Sequence, residues 1–276
     1  MRPGPASLDL RIVPVPQLRL HEDFDPWRAK RLVVSLSHQG VLKNPLIVTE
    51  SEDTFIVLDG ATRATALAEM GVAHALVQVV RYDDPSVSLQ TWNHVIVGIP
   101  SSSLLQELGR IPNLRALAAD LPEVQAALNA RRAVVGVLTE ENRAITFASG
   151  ESSHGQIHQL VQVVAAYRGR AEVHRASEVD MLDLFTVHPD LTAVVVFPPF
   201  TPDDVVRCAN NEIKLPMGIT RHLIRGRALG INVPLDLLAG DRSLEHKNAW
   251  LQENIQSRLR QNKVRLYEEP TFVFDE

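Results

Sequence analysis

Apolar positions in the first hundred residues recur with two different periods. After Asp25-Pro26, an N-cap followed by a first-turn proline, Leu32, Val33 and Leu36 recur at helical spacing until Gly40, which predicts an amphipathic helix. Two β-rich runs come next, Leu46-Ile47-Val48-Thr49 and Phe55-Ile56-Val57-Leu58. The polar Glu50-Ser51-Glu52-Asp53-Thr54 separates them, so they read as a hairpin or as neighbouring strands. The second run ends at Asp59-Gly60. Ala64, Leu67 and Ala68 then describe a helix stopped at Gly71, and residues 75–80 a further strand.

Residues 100–132 read as helical, with breaks at Pro100, Pro112 and Pro122, and a domain boundary is placed there. His94, with Trp92, falls on a predicted helix. Ala133 to Leu138 and Ala144 to Ala148 flank Thr139-Glu140-Glu141-Asn142 as a second hairpin, and Ser149-Gly150-Glu151-Ser152-Ser153 leads into a helix through Leu160, Val163 and Val164. Strands at Ala171 to His174 and Thr192 to Phe197 then alternate with helices at Glu178 to Val187 and Pro202 to Ala209. A long polar helix, Leu244 to Asn262, precedes short β runs at Val264 to Tyr267 and Thr271 to Phe274. Trp250, Ile255 and Leu259 on that helix form either a homodimer face or a fold-back surface. The expected architecture is mixed, α+β / α/β, with units at residues 1–100 and 101–243 and a C-terminal helix and tail at 244–276.

The composition narrows the class. With 276 residues, 45% hydrophobic and 22% charged, the chain can bury a core and lies outside the disordered range. Aromatics at 5% argue against an aromatic-rich β-barrel. A net charge of -5 disfavours non-specific nucleic-acid binding. The single cysteine, Cys208, rules out an internal disulfide and a cysteine zinc cluster, and it points to a cytoplasmic protein. Met1-Arg2-Pro3-Gly4-Pro5 opens no long apolar region, and the longest apolar runs, such as Ala193 to Phe197, are strand-length. Neither a signal peptide nor a membrane span is expected. The G-x-x-x-x-G-K-[ST], G-x-G-x-x-G and G-x-S-x-G motifs are absent, which sets aside the standard P-loop, Rossmann and nucleophile-elbow enzymes.

Two places carry candidate chemistry. Asp59-Gly60-Ala61-Thr62-Arg63 joins an apolar strand to a helix. There, free amides, a glycine that lets the backbone approach and the Thr62 and Arg63 donors suit a phosphate, with Asp59 as magnesium ligand or proton acceptor. The bland alternative is a turn with a helix cap. The second place runs from Lys214 through Gly218-Ile219-Thr220-Arg221-His222 to Arg225 and Arg227. From Arg207 to Arg227 there are five Lys/Arg against Glu212 alone, and this local excess in an acidic chain implies an anionic ligand. Gly218 is expected ahead of a helix whose opening turn holds Thr220, Arg221 and His222. The alternative is a solvated face. His154 and His158 have the i, i+4 spacing of metal ligands but lack an evident third, so exposed imidazoles near a helix start are the simpler reading. Cys208 reads as buried.

Leu20-His21-Glu22, Arg28 to Gly40, Val41 to Val48 and Val57-Leu58-Asp59-Gly60-Ala61-Thr62-Arg63 through Leu67 together resemble the ParB/sulfiredoxin superfamily. Trp92-Asn93-His94, Phe197-Pro198-Pro199-Phe200 and the Gly218 to Arg227 block extend the resemblance to its free serine kinases, including the ParB-like siderophore-biosynthesis serine kinase. Sulfiredoxin's reactive cysteine is matched here by Ala61, so its sulfinic acid chemistry does not carry over. The Arg-rich turn of chromosome-partitioning ParB is replaced by Ala61-Thr62. In the kinase turn a His often precedes the Arg; Thr62 stands there in this chain. The resemblance implies phosphoryl transfer from ATP or ADP, with Mg²⁺, to free L-serine, giving O-phospho-L-serine. In that reading Glu22 is the base for the serine hydroxyl, Asp59 binds Mg²⁺ or shares the base role, and Gly60, Ala61, Thr62 and Arg63 hold the nucleotide phosphates. Thr220, Arg221 and His222, with Arg225, meet the amino-acid carboxylate or the transferred phosphate. A nucleotide-responsive regulator or DNA-associated switch is the competing reading.

Overall fold

The computed structural model describes residues 8–211 and 213–267, so residues 1–7, Glu212 and the expected Thr271 to Phe274 run lie outside the described residues. Two compact units interleave along the chain. The first takes residues 8–20, 24–87 and 224–267, and the second takes His21–Asp23 and Ser88–Leu223. The expected consecutive split at residues 100 and 243 differs from this because residues beyond Val87 are strands of the second unit's sheet, and residues after Leu223 complete the first unit's core.

In the first unit β1 (Asp9–Pro14), β2 (Leu18–Leu20), α1 (Pro26–Gln39), β3 (Val41–Leu42), β4 (Leu46–Ser51), β5 (Thr54–Asp59), α2 (Ala61–Glu69) and β6 (His74–Val79) follow in order. The sheet runs β1-β6-β4-β5-β2. β1–β6 and β4–β5 are antiparallel; β4–β6 and β2–β5 are parallel. α1 starts where the Asp25 carboxylate accepts the Trp27 and Arg28 amides, and it ends where Gly40 N–H returns to Leu36 O at 2.9 Å. Its Leu36 is buried in the core, with Leu32 and Val33 packed against it, as the periodicity predicts.

The second unit contains β7 (Val87–Thr91), β8 (Asn93–Val97), α3 (Ser101–Leu108), β9 (Leu114–Ala119), α4 (Leu121–Asn129), β10 (Ala133–Thr139), β11 (Ala144–Ser149), α5 (Ser153–Tyr167), β12 (Glu172–Ala176), α6 (Met181–Val187), β13 (Leu191–Val196), α7 (Pro202–Asn210) and β14 (Thr220–Ile224). Its six-stranded sheet, β12-β8-β13-β10-β11-β9, is antiparallel throughout. Alternation along β13 sends Ala193 and Val195 into one core with α3 and α5, and Val194 and Val196 into another with α4. The sheet is thus buried on both faces, which is why its strands read as continuous apolar runs.

Three helical expectations here are corrected. His94 lies on β8, whose Val95, Ile96 and Val97 favour a strand. Leu114–Ala119, an Ala-rich stretch read as helix, is the edge strand β9, where pairing with β11 overrides local propensity. Thr220, Arg221 and His222 open not a helix but strand β14, which pairs with β7. The predicted β run at Val264 to Tyr267 has no strand either.

The chain then returns to the first unit with β15 (Val233–Pro234), α8 (Leu235–Ala239) and α9 (Leu244–Arg260), and β15 pairs with β3. Leu238 and Leu251 are fully buried in the first core, with Trp250 and Ile255 packed on it, so the long helix folds back on its own chain. Its polar residues close the edge strand β1. Asn248 accepts the Ile12 amide at 2.8 Å and donates to Ile12 O at 2.9 Å, and Gln252 donates to Leu10 O at 3.2 Å. Among the described residues no helix is long and apolar enough to cross a membrane.

Candidate active site

The candidate residues fall into two groups, one in each unit. In the first unit β5 ends at Asp59, and Gly60, at φ +101°, turns the chain into α2. No side chain caps α2, whereas Asp25, Ser152, Thr201 and Ser243 close the first turns of α1, α5, α7 and α9. With no side-chain cap, the amides of Ala61 and Thr62 face outward from the start of α2 towards any anion there, with the helix dipole behind them.

Around this turn the side chains are set by long-range contacts. Asp59 Oδ2 accepts from Arg227 Nη2 and, at 3.4 Å, from Arg63 Nη2. Arg63 Nη1 donates to Asn44 O at 3.1 Å and Pro45 O at 2.7 Å. The Arg63 guanidinium, expected on phosphate, is thus engaged in fixing the turn against residues 44–45. Arg227 sits on a loop held by a buried glutamine: Gln78 donates to Gly226 O at 3.0 Å and accepts the Ala228 amide at 2.8 Å. Asn44 Oδ1 accepts the Gly230 amide at 2.8 Å. Asn44, Asp59, Arg63 and Arg227 border a cavity of about 330 Å³ that is lined also by Lys43 and by the apolar Leu32, Leu36, Leu42 and Leu229. A lining that combines leucines with arginine and lysine suits a ligand with a flat apolar part and an anionic part. Arg225 does not line the cavity; it is exposed, and its amide donates to Ser86 O at 3.0 Å.

The second unit gathers Glu22, Thr220 and His222, with Arg221 beside them. His21–Asp23 is strapped to Leu215, whose amide donates to His21 O and whose carbonyl accepts from Asp23 N–H, both at 2.8 Å. The strap delivers the Glu22 carboxylate to the loop before β14. Gly218 N–H donates to Oε2 at 3.0 Å, Thr220 N–H donates to Oε1 at 2.7 Å, and the Thr220 hydroxyl also donates to Oε1. Oε2, with a single hydrogen bond, retains accepting capacity. Thr220, expected on the substrate, is instead committed to Glu22 and to His21, whose Nε2 lies 2.9 Å from Oγ1. His222 meets His21 edge-on at 5.4 Å, and Arg221 stacks 4.2 Å over the Trp92 ring.

Beneath that loop lies a buried relay that local sequence gives no sign of. His94 Nδ1 is 2.7 Å from the Tyr167 hydroxyl and Nε2 is 3.2 Å from Gly218 O. Burial lowers the His94 pKa to about 4 and raises that of Tyr167, so both groups are neutral. Tyr167 then donates to Nδ1, and Nε2–H donates to Gly218 O. Because the folded-state pKa lies below the ordinary 6.5, the unfolded chain takes up more protons between those values. The contribution of His94 to stability is present above pH 6.5 and is expected to fall by about 3 kcal/mol as the pH drops to 4. Denaturant titrations at pH 4 to 7 should show this loss, and His94→Gln should flatten it; an equal slope in both proteins would refute it.

His154 and His158 place their Nε2 atoms 3.1 Å apart on the exposed start of α5. Among the described residues no three His, Cys, Asp or Glu side chains are grouped to hold a metal ion. A magnesium ion bound with nucleotide phosphates needs only one or two protein carboxylates, and Asp59, at the turn into α2, is the carboxylate lining the first unit's cavity that could supply one. Cys208 is buried, and burial pushes its thiol up to about 11, which leaves it inert.

No family model matches the chain. It is 27% identical over 248 residues to the ATP-dependent L-serine kinase SbnI of Staphylococcus aureus, covering 88% of this chain and 89% of that protein. An ATP-dependent L-serine kinase of Staphylothermus marinus is 33% identical over 99 residues, 35% of this chain and 39% of that one. In fold, the chain is similar to C-terminally truncated SbnI from Staphylococcus aureus, with a TM-score of 0.72 at 23% identity over 91% of this chain and 97% of that one. It is also similar to a free serine kinase in complex with AMP, with a TM-score of 0.72 at 16% identity over 84% and 94%.

Proposed function

We infer that this chain belongs with the ATP-dependent free L-serine kinases and transfers the γ-phosphoryl group of ATP to the serine hydroxyl, giving O-phospho-L-serine and ADP. The observation that carries the reading is the Glu22 carboxylate, aimed by Gly218 and Thr220 and left with an accepting position on Oε2. A substrate hydroxyl placed there gives its proton to Glu22 as its oxygen bonds to the γ-phosphorus, and the bond from that phosphorus to the bridging oxygen breaks as ADP leaves. Phosphoryl transfer asks little covalent work of a protein beyond positioning and charge neutralisation.

In the first unit, the uncapped α2 amides of Ala61 and Thr62 and the cations Arg227 and Lys43 suit the nucleotide phosphates, and the lining leucines suit the base. Magnesium bound with the nucleotide would be held by Asp59 and would neutralise phosphate charge. Arg221 and His222 address the transferred phosphoryl group, while Thr220 and Arg63 position Glu22 and Asp59. The test is to incubate purified protein with L-serine, Mg²⁺ and either ATP or ADP, and to look for phosphoserine by mass spectrometry. Phosphoserine is expected with ATP; its absence with both nucleotides refutes the assignment.

A further inference from the structure

Gly218 has φ +81°, and a Cβ built on it would fall 2.7 Å from both Nε and Cζ of Arg175. The Arg175 guanidinium therefore lies where a side chain at 218 would be, against the residue whose amide aims Glu22. Only glycine permits both the backbone turn and this approach. Arg175 reaches the loop from β12, where it pairs in register with His94 of β8, and it stays exposed. Several other arginines of the second unit have anionic partners: Arg168 has Asp23, and Arg131 and Arg207 share Asp204. Among the described residues, no hydrogen bond or ion pair engages Arg175. A guanidinium fork is thus kept next to the hydroxyl-activating carboxylate with its donors unspent, and it matches a carboxylate or phosphoryl oxyanion in shape and charge.

We propose that Arg175 receives the α-carboxylate of the amino-acid substrate and so selects serine among hydroxyl compounds. The inference rests on the serine kinase reading. Serine carries its carboxylate close to its hydroxyl, so a hydroxyl at Glu22 Oε2 brings the carboxylate towards the cation that lies over Gly218. A phosphoryl group in transit offers the same oxyanion chemistry, and the experiment separates the two.

Steady-state kinetics of the wild type, Arg175→Ala and Arg175→Lys are measured with L-serine and with L-serinamide, which keeps the hydroxyl but lacks the carboxylate. For Arg175→Ala the KM for serine is expected to rise about 10- to 100-fold, the size of a lost charge-assisted hydrogen-bond pair. Its KM for ATP should be unchanged, its preference for serine over serinamide should collapse, and Arg175→Lys should recover part of it. Retained discrimination with an equal fall in kcat for both acceptors would assign Arg175 to the phosphoryl group and overturn the proposal, as would an unaffected variant. A wild type inert towards serine would overturn the kinase reading itself, and this proposal with it.

Discussion

Glu22→Gln is expected to lower serine phosphorylation by about a thousandfold, within the range of a lost general base, while ATP still binds. Two effects act together. The amide cannot take the hydroxyl proton, and its NH₂ end would face either Gly218 N–H or the Thr220 donors, so one of the contacts that aim the side chain becomes donor against donor. Nucleotide affinity should persist because Asp59, Arg227 and Lys43 line a cavity of the first unit, whereas Glu22 belongs to the second. Phosphoserine formation by mass spectrometry and ATP titration by calorimetry measure the two arms. Turnover above about a tenth of wild type would remove Glu22 as the base. A parallel loss of ATP binding would show that the substitution had damaged more than the chemistry.

The largest stability effect is expected at Lys247, whose side chain is fully buried on α9. Its ammonium donates to Leu238 O at 2.9 Å, Gly240 O at 2.7 Å and His74 Nδ1 at 2.9 Å, so three protons meet three acceptors. The two carbonyls close the C-terminal end of α8, and His74 starts β6, so one side chain ties three elements of the first core together. Burial, with Lys247 alongside, lowers the His74 pKa and keeps the ring an acceptor. Lys247→Met preserves length and apolar contact but strands the carbonyls, at a cost of about 3 kcal/mol. Guanidinium unfolding followed by Trp250 fluorescence should show a lower midpoint, and an unchanged midpoint would refute the role given to the ammonium.

Elements whose signals are local were legible in the sequence. The Asp25 cap, the β4–β5 and β10–β11 hairpins and the strand–glycine–helix turn at Asp59 each depend on neighbours within a few residues. The fate of Ala116 and Leu117 depends on pairing with Phe147 and Thr146, which helix propensity cannot register. The site divides in the same way. The strand–glycine–helix spacing by itself makes Ala61 to Arg63 candidates for an anion cradle, whereas Glu22 carries no local mark and is a candidate only through family resemblance. Gln78 and Arg175 gain their roles from partners far away in sequence and carry no local signal, while Arg227 is legible only as a member of a basic block and His94 only through the family resemblance. Arg63 was legible as a cation at the turn, yet its acceptors at residues 44 and 45 were not.

The interleaving of the two units bears on how the protein is made. Translation delivers β1 to β6 early, but the core they build lacks Leu238 and Leu251 until the whole intervening stretch has been synthesised. At 5–20 residues per second the ribosome needs roughly 10–30 s to travel from Val79 to Leu251. During that interval the inserted unit, apart from the His21–Asp23 strap, is contiguous and is free to fold first. The nascent first unit meanwhile waits with an unfinished apolar surface, which makes it the natural client for a holding chaperone.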